Sequence, residues 1–123
     1  MECIPQQFEE NKRAMRAVQD SMDVLNGKWK IVIISSICCY SKRRFSDMLA
    51  DIPGISNKML SKELKELEIN ELVTRTVLDT QPITVQYELT EHGKTLKAII
   101  DTLTEWGIAH HDKIFAKQLS LVS

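Results

Sequence analysis

The segment from Asp47 to Asn70 limits the possible folds of this chain more tightly than any other. A short stretch with Met48, Leu49 and Ile52 turned to one side runs into Pro53-Gly54. Proline ends a helix because it lacks the amide donor and its ring crowds the preceding turn, and glycine permits the sharp change of direction that follows. Ser56 then offers a capping hydroxyl, and Leu60, Leu64 and Leu67 form a one-sided stripe behind it. A helix of about 56–70 seated on those leucines presents Asn57, Lys58, Ser61, Lys62 and Lys65 on its other face, close to its start.

Two strands follow, over Leu72 to Leu78 and Val85 to Leu89. In the second, Val85, Tyr87 and Leu89 alternate with Gln86 and Glu88, as one buried and one wet face require. The polar segment Asp79 to Thr84, with Pro82 inside it, joins them as a hairpin loop. Upstream, Phe8, Met15, Val18, Met22 and Leu25 recur at helical spacings and predict a helix from about Phe8 to Asn26, ended by Asn26-Gly27. Lys28 to Tyr40 holds Trp29 and the run IVIISSICC, whose length favours a buried helix over a strand. Downstream, Thr90 caps a last long helix with Leu96, Ile99, Ile100, Leu103 and Trp106 on its apolar side. The pattern weakens near Gly107, and a further short helical piece is expected through Phe115. The fold is therefore mainly α with a small β-hairpin: a helix, a corner, a second helix and a wing.

At 123 residues the chain makes one domain with a real core, and neither repeat nor low-complexity linker divides it. Hydrophobic residues at 43% and charged residues at 27% are the balance of an ordinary soluble protein. No run approaches the roughly 18 to 20 apolar residues of a membrane span, and MECIPQQFEENKR lacks the order of a secretory signal. The cytoplasm is the expected location. Three cysteines, two of them the neighbours Cys38 and Cys39, point to reduced thiols rather than a stapled scaffold.

The formal net charge of −1 hides an uneven distribution. From Lys28 to Arg75 nine basic residues stand against six acids, whereas the remainder carries seven against eleven. The basic excess coincides with the helix-corner-helix segment. There the residue types suit a DNA major groove: Asn57 can pair bidentately with adenine, Ser61 can serve either partner, and lysines reach phosphates or guanine edges. Arg43 and Arg44 are candidate phosphate clamps, with a plain surface charge run as the equal alternative. Arg75, Thr80, Gln81 and Thr84 are candidate wing contacts to backbone or minor groove, with a solvated turn as the alternative. No catalytic set stands out, and neither cofactor nor metal is expected. His110-His111-Asp112 reads as a solvated polar patch, because adjacent histidines on a helix face different ways.

These elements resemble the HxlR-type bacterial transcriptional regulators, winged helix-turn-helix proteins related to the MarR type. The matching residues are Gly27-Lys28-Trp29, Arg44-Phe45, Ile52 to Leu60, Leu64 to Glu68, Leu72-Val73 with Arg75, then Val85, Tyr87, Leu89-Thr90 and Gly93, and finally Trp106-Gly107. The resemblance implies a sequence-specific DNA-binding regulator, a homodimer on an imperfect palindrome, with recognition helix 56–70 and wing 79–84. It also implies an N-terminal dimerisation helix in 1–26, a winged core in 28–90 and C-terminal dimerisation helices in 91–117. Met15, Val18, Met22, Leu96, Ile99, Leu103 and Trp106 support the pairing, since they are more apolar surface than one small winged core needs. The alternative is that these helices cover their own core.

One departure concerns thiols. Many members of that family carry a cysteine some thirteen residues before the tryptophan of the GKW motif, and Arg16 stands there in this chain. Cys3 lies upstream, and Cys38 and Cys39 fall in an apolar helix, where free cysteine commonly serves as a small hydrophobe. A small-molecule or redox effector is open but not indicated. A protein-interaction module that has lost DNA binding is the alternative function, favoured by the net charge and by Glu63, Glu66, Glu68 and Glu71 on the second helix.

Overall fold

The computed structural model describes the backbone of residues 5–122 and the side chains of 7–121, so Cys3 lies outside the described residues. The elements in chain order are α1 (Pro5–Val24), α2 (Lys30–Tyr40), β1 (Lys42–Arg44), α3 (Phe45–Asp51), α4 (Asn57–Ile69), β2 (Val73–Leu78), β3 (Thr84–Leu89), α5 (Glu91–Lys94) and α6 (Lys97–Val122). Helix, corner, helix and hairpin occur where the sequence puts them. The hairpin gains a third strand that sequence patterning misses, because the three residues of β1 are too few to show a period. The antiparallel order is β1-β3-β2.

The core gathers under the corner. Ile33, Ile34 and Ile37 of α2, Met48 of α3, and Leu60, Leu64 and Leu67 of α4 are all fully buried. Burying an aliphatic side chain of this kind contributes about 1.5–3 kcal/mol. Tyr87 and Leu89 close the core from β3, and Trp29 packs at its edge. At the corner Gly54 has a φ of +80°, and a Cβ added there would meet the Trp29 ring at 3.9 Å. Ser56 accepts a hydrogen bond from the Met59 amide at 3.1 Å, as a helix cap should.

The end of α4 is as well defined as its start. The Leu72 amide donates to Leu67 O at 3.0 Å and the Glu71 amide to Glu68 O at 3.0 Å. That pair of bonds is a Schellman turn, which needs a left-handed residue, and Glu71 occupies the position with a φ of +60°. The Thr90 amide donates to Leu72 O at 3.1 Å, and the Thr90 hydroxyl donates to Glu71 O at 2.6 Å. Thr90 Oγ1 in turn accepts from the Gly93 amide at 2.9 Å. Gly93 rides so close that an added Cβ would stand 2.1 Å from Leu72 O. The Leu-Thr-x-x-Gly motif is therefore a clamp that fastens α5 to the end of α4.

Two expectations about the C-terminal half need correction. Thr90 caps the short α5, and the long helix begins only at Lys97, after the Leu96 amide has turned back to Gly93 O at 3.1 Å. That helix then runs unbroken past Gly107 to Val122, beyond the separate piece expected to end at Phe115. A single exposed glycine costs a helix about 1 kcal/mol, which the turns on either side offset.

Substituting Gly93→Ala should destabilise the fold by more than 2 kcal/mol, the scale of overpacking a rigid contact. Substituting Glu71→Gly should stabilise it by about 1 kcal/mol, the cost of a left-handed side chain. Urea melts of both variants measure this, and equal stability of the three proteins would refute the clamp.

Candidate nucleic-acid interface

Helix α4 is held by a cation beneath it. Lys30, at the start of α2, is only 1% exposed, and its Nζ reaches Glu63 Oε2 at 2.6 Å, Asn26 Oδ1 at 3.0 Å and also the Glu66 carboxylate. Burial alone would depress the Lys30 ammonium, but the hydrogen bonds to Glu63 and Glu66 outweigh it and hold its pKa above the ordinary value. The same contact holds the Glu66 carboxyl below its ordinary range. Two acids on the inner side of α4 are thus spent on an internal bridge that fixes this helix to α2.

The outer face is as expected. Asn57, Lys58, Ser61, Lys62 and Lys65 are all exposed, while the leucine stripe lies inward. Between α4 and the hairpin opens a cleft of about 1050 Å³. It brings together Ser61 and Lys65 from α4, Arg44 beside α3, Arg75 from β2, and Thr80 and Gln81 from the wing. With Thr84 beside them, seven residues singled out separately in sequence therefore share one concave surface. Asn57, Lys58 and Lys62 are exposed on α4 but do not line that cleft.

Sequence reasoning missed several of its walls. Phe45, Val85 and Tyr87 supply apolar area, Ser46 adds a hydroxyl, and Pro82 and Ile83 add to the wing side. Phe45 and Ser46 follow Arg44 directly, so proximity to a candidate cation was the available signal. Glu68 also lines the cleft and places one negative charge where cations otherwise dominate.

Arg43 is a correction. It is 8% exposed, pairs with Asp51, and its guanidinium carbon sits 4.0 Å over the Tyr40 ring. In β1 it stands opposite the buried Tyr87, so strand alternation turns it inward and sends Lys42 and Arg44 outward. Arg43 therefore leaves the phosphate-clamp set. Arg44 stays accessible, with its Nε 3.1 Å from Asp47 Oδ2, a surface pair that holds it only weakly. Two of the α4 acids also reach toward the outer face. Glu63 Oε1 and Glu66 Oε1 lie 3.7 and 3.8 Å from Lys62 Nζ. With Lys30 and Arg43 internally neutralised, the local basic excess resides in the groups that reach solvent.

The remaining sequence candidates lie elsewhere. Met15, Val18 and Met22 of α1, and Ile99, Leu103 and Trp106 of α6, are all about half exposed or more. Leu96 is instead a core residue beside Ile100. Further large apolar groups, Phe8, Ile108, Ile114, Phe115, Leu119 and Leu121, are exposed on the same two helices. The Trp106 and His110 rings stack with centroids 4.8 Å apart. No cluster of three metal-ligating side chains occurs among the described residues. Burial, with a smaller contribution from Cys39, pushes the Cys38 thiol up, which disfavours the reactive thiolate.

A family model for HxlR-like helix-turn-helix proteins matches residues 24–115. The chain is 34% identical over 113 residues to the HTH-type transcriptional regulator YtcD of Bacillus subtilis, covering 92% of this chain and 89% of that protein. The crystal structure of YtcD superposes with a TM-score of 0.72 at 38% identity, over 77% of this chain and 96% of that one. The redox regulator HypR in its reduced form gives a TM-score of 0.74 at 35% identity, over 81% and 98% respectively.

Removing the buried cation should expose its importance. Lys30→Met is expected to cost about 3–5 kcal/mol, because Glu63 stays buried without its partner. For Glu66, whose folded pKa is lowered, the contribution is present above the ordinary carboxyl range near 4.3 and fades as pH falls through the folded value. For Lys30, whose folded pKa is raised, it is present below about 10.4 and fades as pH rises through the folded value. Thermal melts from pH 2 to 12 should show both limbs in the wild type and neither of these contributions in Lys30→Met.

Proposed function

The chain belongs to the HxlR-like helix-turn-helix family, and from that premise we propose that it binds an imperfect palindrome as a homodimer, with α4 in the major groove and wing 79–84 on the adjacent backbone or minor groove. It is a DNA-binding transcriptional regulator, as its relatives are HTH-type regulators over nearly their whole length. One observation carries the arrangement: the cleft between α4 and the wing has the cations Arg44, Lys65 and Arg75 and the hydroxyls Ser61, Thr80 and Thr84 on facing walls. A phosphodiester strand is a negatively charged ridge between two grooves, and such a cleft straddles it. Asn57, Ser61 and the lysines near the start of α4 are then the groups for base edges and phosphates. Glu68 weakens the binding and sharpens its dependence on correct register, since a misplaced phosphate meets a carboxylate.

Pairing rests on the exposed faces of α1 and α6. Helix α6, with Ile100 alone buried among its described residues and Ile99, Leu103 and Trp106 open to water, is a surface awaiting a partner. A second copy makes it self-complementary and sets two α4 helices about 34 Å apart, one turn of duplex. On this proposal 1–26 and 91–117 are dimerisation segments around the winged core of 28–90. No helix among the described residues is long and apolar enough to cross a membrane, and the proposed setting is the cytoplasm.

Affinity for the DNA upstream of its own gene should fall with salt, with a log–log slope of roughly −0.9 per phosphate contacted. Lys62→Ala is expected to weaken all sequences alike and shallow that slope by about one unit per protomer, whereas Asn57→Ala and Ser61→Ala should alter the preferred sequence. A flat salt plot would instead favour a protein-interaction module.

Sedimentation should report a dimer for the wild type and a monomer for Leu103→Asp. A wild type that stays monomeric at micromolar concentration would overturn the pairing.

A further inference from the structure

We infer that Ile83, supported by Pro82, is an apolar wedge at the wing tip that enters the minor groove and unstacks one base step, so that operator choice depends partly on how easily the DNA kinks. This rests on the DNA-binding reading above and adds to the wing's groove contact an insertion at one base step.

Ile83 is 67% exposed at the far end of the hairpin. The strands are anchored at their other end, where the buried Val73 faces the buried Leu89, and the last pair before the loop is Leu78 with Thr84. Five residue steps separate the two pairs, so the tip projects about 17 Å beyond the anchored end. Both Pro82 and Ile83 line the cleft, on the side that faces α4. The apolar groups are therefore turned toward the bound strand.

The tip is also held in shape. Thr80 Oγ1 donates to Pro82 O at 2.7 Å and lies 2.9 Å from Thr84 Oγ1. Thr84 Oγ1 stands 3.4 Å from the same carbonyl. A loop tied across its own base does not lose much further freedom on binding, and its side chains are presented ready for contact. The Ile83 side chain has no hydrogen-bonding group, so a phosphate offers it nothing. Sugar walls and base faces do, and both are reached through the minor groove, where inserted aliphatic side chains pry steps apart. Gln81 and Arg75, exposed on the same side, supply the polar contacts that hold such a wedge in place. Pyrimidine–purine steps unstack most easily, so they should be preferred beneath the wing.

The test uses the full-length protein to select duplexes from a random library. The selected duplex is then end-labelled for energy transfer and carries 2-aminopurine at successive positions outside the major-groove half-site. Binding should draw the ends together and raise emission several-fold at one pyrimidine–purine step. Ile83→Ala should abolish both signals and weaken binding about tenfold while melting at the wild-type temperature, as its exposure predicts. Replacing that step with an A-tract should weaken the wild type about tenfold and leave Ile83→Ala unaffected. If Ile83→Ala bends and unstacks the duplex as the wild type does, while Asn57→Ala still shifts the selected sequence, the wedge is overturned and gene regulation stands. If no duplex is enriched, both fall.

Discussion

A lysine ammonium buried between two helices governs the rest of this molecule. Lys30 cannot leave its position without exposing Glu63 to an apolar interior, and Glu63 lies on the same side of α4 as the leucines. The leucines decide which side of α4 is inward, but a greasy stripe alone lets a helix roll by some degrees. A charge pair with hydrogen-bond geometry is less forgiving. Lys30 thereby converts approximate burial into a defined rotation, and the rotation decides which residues reach a groove.

Much of this was legible from the residues alone. Pro53-Gly54, the Ser56 cap and the leucine spacing each have a local physical meaning, so the helices about the corner and their outward face could be read without coordinates. The hairpin followed from alternation over Val85 to Leu89. What escaped depends on partners distant in sequence. Lys30 looks like one more surface cation until Glu63 and Glu66 are brought under it, and Arg43 looks like a clamp until β3 imposes its pleat. Counting charges by segment therefore could not say which of the cations reach solvent. The cleft is a property of two elements together, so only some of its walls could be named beforehand, and Glu68 was not among them. The long α6 was missed as one helix because Gly107 is a breaker by propensity, and propensity yields to a continuous hydrogen-bond ladder.

The molecule divides its apolar residues in two ways. Around the corner they are interior and packed, with isoleucines from α2 against leucines from α4. Along α1 and α6 they are spread outward on helices that cover little of their own chain. A reader of nucleic acid gains from that division. On the proposed function, the rigid part would present the groups that discriminate, and the open part would bring a second reader alongside it.

The join between α4 and the C-terminal region has a mechanical meaning. Because Gly93 rests on the Leu72 carbonyl and Thr90 ties both sides of that contact, the end of the reading helix and the root of α6 move as one piece. Two chains coupled through α6 would hold their reading heads like the jaws of a caliper. Such a tool measures the gap between half-sites, and tolerates an added or missing base pair poorly.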